Sequence, residues 1–330
     1  MDNNLIKVGV LGVGHLGEHH VKHFCSIDGI NFLGFFDTDT IRANIISKKF
    51  KVKAFQNIDN LIESVDAVSI VTPTTYHAKI AEKCIRKKKH VFIEKPITST
   101  IEEADKVLEL AKKNNVIVQV GHIERLNPAL KALESYKIKP KFIEIQRLAP
   151  YNTRGTDVPV VLDKMIHDID IVLSLADSKV RSISATGLSI LTDSIDIAHA
   201  RIKFENGCVS SITSSRIAKD EVRKIKTFQQ NLYATVDLYK GLTEVYTISK
   251  EDLNKKSFLM SVPFNYKNKT RHIAYEKPTI TKEDALRLEL INFTNAIKGI
   301  EKPIVDGQSG REALNIAIKI QEKIIKEFNS

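Results

Sequence analysis

The sequence predicts an α/β plus α+β protein: a doubly wound (Rossmann) parallel sheet first, and a mainly antiparallel sheet domain after it. Three observations carry this. Up to about residue 120, short continuous apolar runs alternate with amphipathic stretches. Beyond about residue 140, apolar and polar residues alternate one by one. A Gly12-x-Gly14-x-x-Gly17 turn joins the first apolar run to the first amphipathic stretch. Continuous apolar runs suit parallel strands covered on both faces, and alternation suits antiparallel strands with one wet face.

The elements follow in order. Strands are expected at 7–11, 31–36, 66–71, 90–93 and 116–120, with helices at 15–26, 40–49, 75–88 and 100–114 between them. A βαβα order with a covered sheet is a doubly wound domain. Later strands are expected at 141–149, 181–188, 198–205, 207–215, 223–229, 232–239 and 242–249, separated by turns such as Glu205-Asn206-Gly207. One helix, 160–176, interrupts them, and helices at 282–298 and 310–327 close the chain. The boundary falls near Gly121–Asn127, giving a cofactor domain over 1–122 and a substrate and oligomerisation domain over 123–330. A length of 330 residues is what two domains of about 150 residues each require.

Composition narrows the class. Hydrophobic residues at 42% and charged residues at 27% describe a well-cored globular chain rather than a disordered one. Three scattered cysteines, Cys25, Cys84 and Cys208, form neither a disulfide framework nor a zinc site. The amino terminus carries no basic leader before an apolar core, and no run approaches about 18 apolar residues, so a cytoplasmic protein without membrane contact is expected. The formal charge of +10 raises the question of nucleic acid. It divides as +3 over residues 1–122 and +7 over 123–330, in short dispersed pairs. That is a solvated basic surface favouring an anionic small substrate; no helix-turn-helix or aromatic-studded basic face supports nucleic acid. The Arg86-Lys87-Lys88-Lys89 run sits where a helix should end and its cations complement the dipole.

Chemistry concentrates in four places. In the glycine turn, the first glycine makes the bend, the second admits a pyrophosphate and the third lets helix and strand approach. Phosphates would meet the free N–H groups at the positive end of the helix, with Gly12, Val13, Gly14, His15, Leu16 and Gly17 around the cofactor. Asp37 stands 20 residues after Gly17 at the end of the second strand, placed to accept from an adenosine ribose. A carboxylate there repels a 2′-phosphate, so NAD is expected; Arg42 nearby leaves NADP open. His15, His19 and His23 are spaced to clamp a metal or to form a polar helix face, and no acidic or cysteine partner adjoins them; no metal is expected. Thr72-Pro73-Thr74 and Glu94-Lys95-Pro96 follow strands three and four, at the carboxyl ends where such sheets place ligands. On the 160–176 helix, Asp163, His167 and Asp170 share one stripe. A histidine oriented by a carboxylate is suited to taking a proton from an alcohol.

The set Val8-Gly9-Val10-Leu11-Gly12-Val13-Gly14-His15-Leu16-Gly17, Thr72-Pro73-Thr74-x-x-His77, Glu94-Lys95-Pro96 and Asp163-x3-His167-x-x-Asp170 resembles the Gfo/Idh/MocA oxidoreductases, the glucose–fructose oxidoreductase and inositol dehydrogenase family. The closing Phe293-x-x-Ala296-Ile297-x-Gly299-x-x-Lys302-Pro303 and Val305-Asp306-Gly307 look like its C-terminal pattern. The resemblance covers essentially the whole chain. It implies NAD(P)-dependent hydride transfer on a sugar or cyclic polyol CH–OH group, with Lys95 and His167 as the catalytic pair and Asp163 supporting them. Thr72, Pro73, Thr74, His77, Glu94 and Lys95 would join the glycine turn and Asp37 around the cofactor, and Lys95–Pro96 would be cis. It also implies a homo-oligomer, dimer or tetramer, paired through the open sheet face. The family's glycine-rich lead into Asp163 is here Val158-Pro159-Val160-Val161-Leu162, a departure that bears on the substrate pocket.

Gly121-His122-Ile123-Glu124-Arg125-Leu126-Asn127-Pro128-Ala129 and Arg147-x-x-Pro150-Tyr151-x-x-Arg154-x-x-Asp157 resemble the nucleotide-sugar members, the UDP-N-acetylglucosamine 3-dehydrogenases. That places Arg125, Asn127, Tyr151 and Arg154 with Asp163 and His167 around a UDP-N-acetylhexosamine; Arg125 and Arg154 would serve either its phosphates or interdomain ion pairs. A free sugar or inositol is the alternative substrate. A cofactor-binding regulator without turnover is a further reading, opposed by the presence of Lys95, Asp163 and His167 together.

Overall fold

The computed structural model describes residues 5–152, 158–250, 258–266 and 269–328. In chain order the elements are β1 (Ile6–Leu11), α1 (His15–Phe24), β2 (Ile30–Phe36), α2 (Thr40–Phe50), α3 (Ile58–Ser64), β3 (Ala67–Ile70), α4 (His77–Arg86), β4 (His90–Glu94), α5 (Ile101–Asn114) and β5 (Val118–Gly121). There follow α6 (Pro128–Lys131), β6 (Phe142–Leu148), α7 (Ile166–Ala176), β7 (Val180–Leu188), β8 (Ile197–Phe204), β9 (Val209–Ser215), β10 (Val222–Gln229), β11 (Leu232–Asp237), β12 (Leu242–Ser249), β13 (Met260–Tyr266), β14 (Lys269–Glu276), α8 (Ala285–Ile297) and α9 (Gly307–Phe328). Two compact units result, Met1–Ile123 with Glu283–Asn315, and Glu124–Lys282 with Ile316–Ser330.

The first unit is built on a parallel sheet of order β2-β1-β3-β4-β5. The order reverses between β1 and β3, and open α/β sheets bind ligands outside the strand ends at such a point. Local sequence sets the helices. Asp39 accepts from the Arg42 N–H at the start of α2, and Thr100 with Glu103 closes a capping box on α5. Val8, Val10, Val21, Phe24, Phe35 and Phe92 form the core, and Leu286, Leu290 and Phe293 of α8 enter the same cluster. This is why the division differs from one contiguous domain over 123–330. The apolar stripe of α8 completes the core beneath β1, and Gly307 and Gly310 let α9 begin against Leu108, Val118 and Val120. Arg311 adds a two-pronged bond to Asp105 at 2.8 and 2.9 Å.

The second unit is a nine-stranded sheet, β13-β14-β12-β11-β10-β6-β9-β8-β7, antiparallel except for the β6–β9 pair. Its buried face carries Ile143, Ile145, Ala200, Ile202, Ile212, Ile225, Val236 and Val245. On the other face one register row aligns Phe142, Phe228, Tyr233, Tyr246 and Tyr275 across five strands, with centroids 5.8, 4.8, 5.5 and 4.8 Å apart.

Five elements depart from expectation: α3, α6, β13 and β14 are additional, and the 160–176 helix is divided. α3 is only 7 residues long, capped by Asn57, too short for its two buried residues, Leu61 and Ile62, to show a period. β13 and β14 were not anticipated because the exposed residues of β13 include Pro263, which a sheet tolerates at an edge. The helix expected over 160–176 divides: Val161–Met165 is a π-helical turn and α7 begins only at Ile166. The Ile166 N–H reaches back five residues to the Val161 carbonyl. Pro159 cannot donate, its carbonyl receives the N–H groups of both Leu162 and Asp163, and Val160 is tied to Ile195, so the chain enters the helix wide.

Candidate active site

In the first unit, the turn after β1 performs the three tasks assigned to its glycines. Gly12 has φ +92°, and a Cβ there would lie 2.5 Å from the Val71 carbonyl oxygen. A Cβ on Gly17 would lie 2.1 Å from the Gly12 carbonyl oxygen, so helix and strand meet only without one. Around Gly14 nothing lies within 4 Å of an added Cβ: the middle glycine faces open space. Among the described residues no side chain caps α1, whose exposed first residues are His15 and Leu16. At the switch-point end of β3, Thr72 Oγ1 is a buried hydroxyl without a hydrogen-bond partner among the described residues. An open backbone cradle, an uncapped helix end and an orphaned hydroxyl fit a dinucleotide.

Asp37 accepts from the Val13 N–H at 2.6 Å and from the Asp39 N–H at 2.8 Å, which fixes the carboxylate beside the turn. Arg42 is turned away from it: Nε donates to the Val13 carbonyl at 2.9 Å, and Nη2 is bonded to Glu18. Lys49 and Arg42 together hold the Glu18 carboxyl below its usual range, with burial acting against them.

The loops after β3 and β4 are joined from below. Pro73 is exposed and Thr74 opens a short 3₁₀ turn leading to His77, whose ring contacts the carbonyls of Pro96 and Thr72. The Lys95–Pro96 peptide is cis. Glu94 is buried; Oε1 lies 3.0 Å from His20 Nε2 and Oε2 accepts from the Lys95 N–H at 3.3 Å. His20 Nδ1 in turn meets Ser69 Oγ at 2.8 Å. His20 and Ser69 escaped the sequence reading. His15, His19 and His23, read as one set, also part company: His15 and His19 are exposed edge to face, while His23 is buried near Asp284. Among the described residues no group of three or more His, Cys, Asp or Glu could hold a metal.

In the second unit the expected stripe divides with its helix. Asp163 lies on the π-turn, half-buried, with Lys164 Nζ 3.9 Å from its Oδ2. His167 is half-buried in the first turn of α7, and Asp170 is buried. Asp170 belongs to Arg125, which donates from Nε at 2.7 Å and Nη2 at 3.0 Å. Of the two roles weighed for Arg125, this geometry is the ion pair, and its partner is in the same unit. Beside it, buried Arg147 donates to Asp168 from Nε and Nη2 and to Glu124 Oε1 from Nη1 at 2.8 Å. Burial pushes the Glu124 carboxyl up, but Arg147 and Arg223 outweigh it and hold it below the carboxylate range. Two arginine forks thus fix the rotation of α7 on either side of His167. Asn127 caps α6 through Ala129 N and donates to Glu124 and the Leu238 carbonyl. Tyr151 is exposed; Arg154 and Asp157 lie outside the described residues.

Residues 6–122 match the GFO/IDH/MocA oxidoreductase family, NAD-binding Rossmann fold, and residues 146–231 match the GFO/IDH/MocA C-terminal domain. The chain belongs to this family and is a dehydrogenase of CH–OH groups that binds a nicotinamide cofactor. It is 33% identical over 317 residues to a UDP-N-acetylglucosamine 3-dehydrogenase of Acidithiobacillus ferrooxidans, covering 96% of each chain. A solved structure of that enzyme from the same organism superposes with TM-score 0.86 at 32% identity, covering 97% of this chain and 98% of the other. A myo-inositol 2-dehydrogenase of Thermotoga maritima is 27% identical, over 94% of this chain and 93% of its own.

Proposed function

We propose that this protein is an NAD-dependent dehydrogenase acting on the 3-hydroxyl of a UDP-N-acetylhexosamine. The observation that carries the substrate class is the match, at 33% identity over 96% of both chains, to an enzyme of that name. Bound NAD supplies the two-electron acceptor. Lys95 holds the substrate oxygen as charge develops on it, and His167 takes its proton. Asp163 supports that pair. Asp37 serves the ribose, and its carboxylate with Arg42 drawn off to Glu18 favours NAD over NADP. Thr72, Pro73, Thr74 and Glu94 complete the cofactor surroundings.

On the substrate side, Tyr151 and Arg154 are the residues assigned to the sugar nucleotide. Arg125 and Asn127 serve it indirectly, by holding α7 and α6. The surplus of basic residues over 123–330 suits an anionic substrate. Copies of the chain pair through the open sheet face, a reading supported by the partly exposed aromatic row on it. The three free thiols, with burial pushing Cys84 up to about 12, suit a reducing cytoplasm. A UDP-sugar that shifts bound NADH fluorescence where inositol does not supports the nucleotide-sugar reading; the reverse pattern assigns the chain to a free polyol.

A further inference from the structure

His77 has both ring nitrogens committed. It opens α4, is 1% exposed, and lies beneath the loops that follow β3 and β4. Nδ1 is 2.9 Å from the Pro96 carbonyl oxygen and Nε2 is 2.8 Å from that of Thr72. A carbonyl oxygen only accepts hydrogen bonds, and a neutral imidazole carries one N–H. Two acceptors at hydrogen-bond distance require two N–H groups, which the imidazolium alone provides. The neutral ring would set a bare nitrogen lone pair against a carbonyl lone pair on one side or the other.

We infer that His77 is an imidazolium clasp joining the Thr72 and Pro96 loops, and that it is a positioning residue for Lys95. The clasp stands on the two contacts themselves; its service to Lys95 rests on the function proposed above. The groups facing the ring are the backbone of Thr72 after β3, the backbone of Pro96 and Ile97 after β4, and the carboxylate of Glu94. Burial draws the ring below its ordinary value, while the carbonyls and the Glu94 charge act against burial. The two short contacts are the geometry of the charged form. As pH rises through the ring's pKa one proton leaves, one carbonyl loses its donor, and the loop carrying Lys95 is released from the loop carrying Thr72.

The test is nitrogen NMR of the full-length protein labelled on histidine, with the His77 ring assigned by its disappearance in His77→Gln or, should that variant not fold, in His77→Asn. At mildly acidic pH, below the ring's lowered pKa, both His77 nitrogens should carry a bonded proton; one protonated and one bare nitrogen there overturns the clasp. Glutamine carries no charge and does not titrate in this range, so it cannot reproduce the charged clasp. His77→Gln should therefore weaken NAD binding about tenfold at mildly acidic pH, the worth of one hydrogen bond to a charged group, and flatten the loss of NAD affinity as pH rises from there to neutral. Wild-type affinity with an unchanged pH profile in that variant contradicts the positioning role. Neither readout needs turnover, so a protein that oxidises no sugar still decides the question.

Discussion

The cofactor cradle of the first unit and the α7 network of the second are built by opposite means. The cradle is made by leaving things out: no Cβ at Gly12, Gly14 or Gly17 and, among the described residues, no side-chain cap on α1 and no partner for Thr72 Oγ1. The network is made by closing things up, with Arg147 on Asp168 and Glu124, and Arg125 on Asp170. A binding surface keeps donors open for the ligand, whereas a proton-transfer group needs its support already satisfied. A buried arginine–carboxylate pair adds little net stability but is costly to break, so it fixes geometry more than it stabilises.

The comparison yields predictions of graded size. Lys95→Met or His167→Ala should lower turnover about a thousandfold while NAD still binds; NADH formation and NAD titration measure the two, and full activity in either variant removes the assignment. Arg147→Met leaves Asp168 and Glu124 buried without their cation and should cost about 3–5 kcal/mol in urea unfolding. A loss in that variant no larger than at an exposed charge pair would show that the network is not closed.

Asp196 gives a pH effect within the second unit. Burial pushes its carboxyl up, but the N–H groups of Ile190, Leu191 and Thr192 and the Thr192 hydroxyl hold it down at about 2. A carboxyl depressed in the folded state contributes stability above its unfolded pKa and loses it as pH falls through the folded one. Stability should drop by about 2 kcal/mol between roughly pH 4 and pH 2, and Asp196→Asn should remove that slope. Smallest is Asp37→Ala, expected to weaken NAD about tenfold and narrow the margin over NADP; an unchanged preference shows that Asp37 does not read the ribose.

The same contrast explains what could be read from sequence. The cradle was legible because its parts are local. Glycines at fixed spacing, a strand before and a helix after, and Asp37 at the next strand end need no knowledge of distant contacts. The network was not legible. Arg147 and Asp168 are 21 residues apart and Glu124 is 23 from Arg147, distances over which sequence shows charge and no pairing. Asp170 was visible as one carboxylate of a stripe, but only the fold gives it to Arg125. His20 carries no signal in the sequence, because only the fold brings Ser69 of β3 and Glu94 at the end of β4 to either side of its ring. The return of α8 to the first core was hidden for the same reason: its stripe of Leu286, Leu290 and Phe293 says that a face is buried and not against what.

The most direct test offers the purified protein NAD with a panel of UDP-N-acetylhexosamines, other UDP-sugars, free sugars and inositols, and follows NADH formation. NADH should appear with a UDP-N-acetylhexosamine, with the oxidised carbon at position 3 by product analysis, and should vanish in Lys95→Met. Turnover of inositol or a free sugar with none of any UDP-sugar would contradict the account.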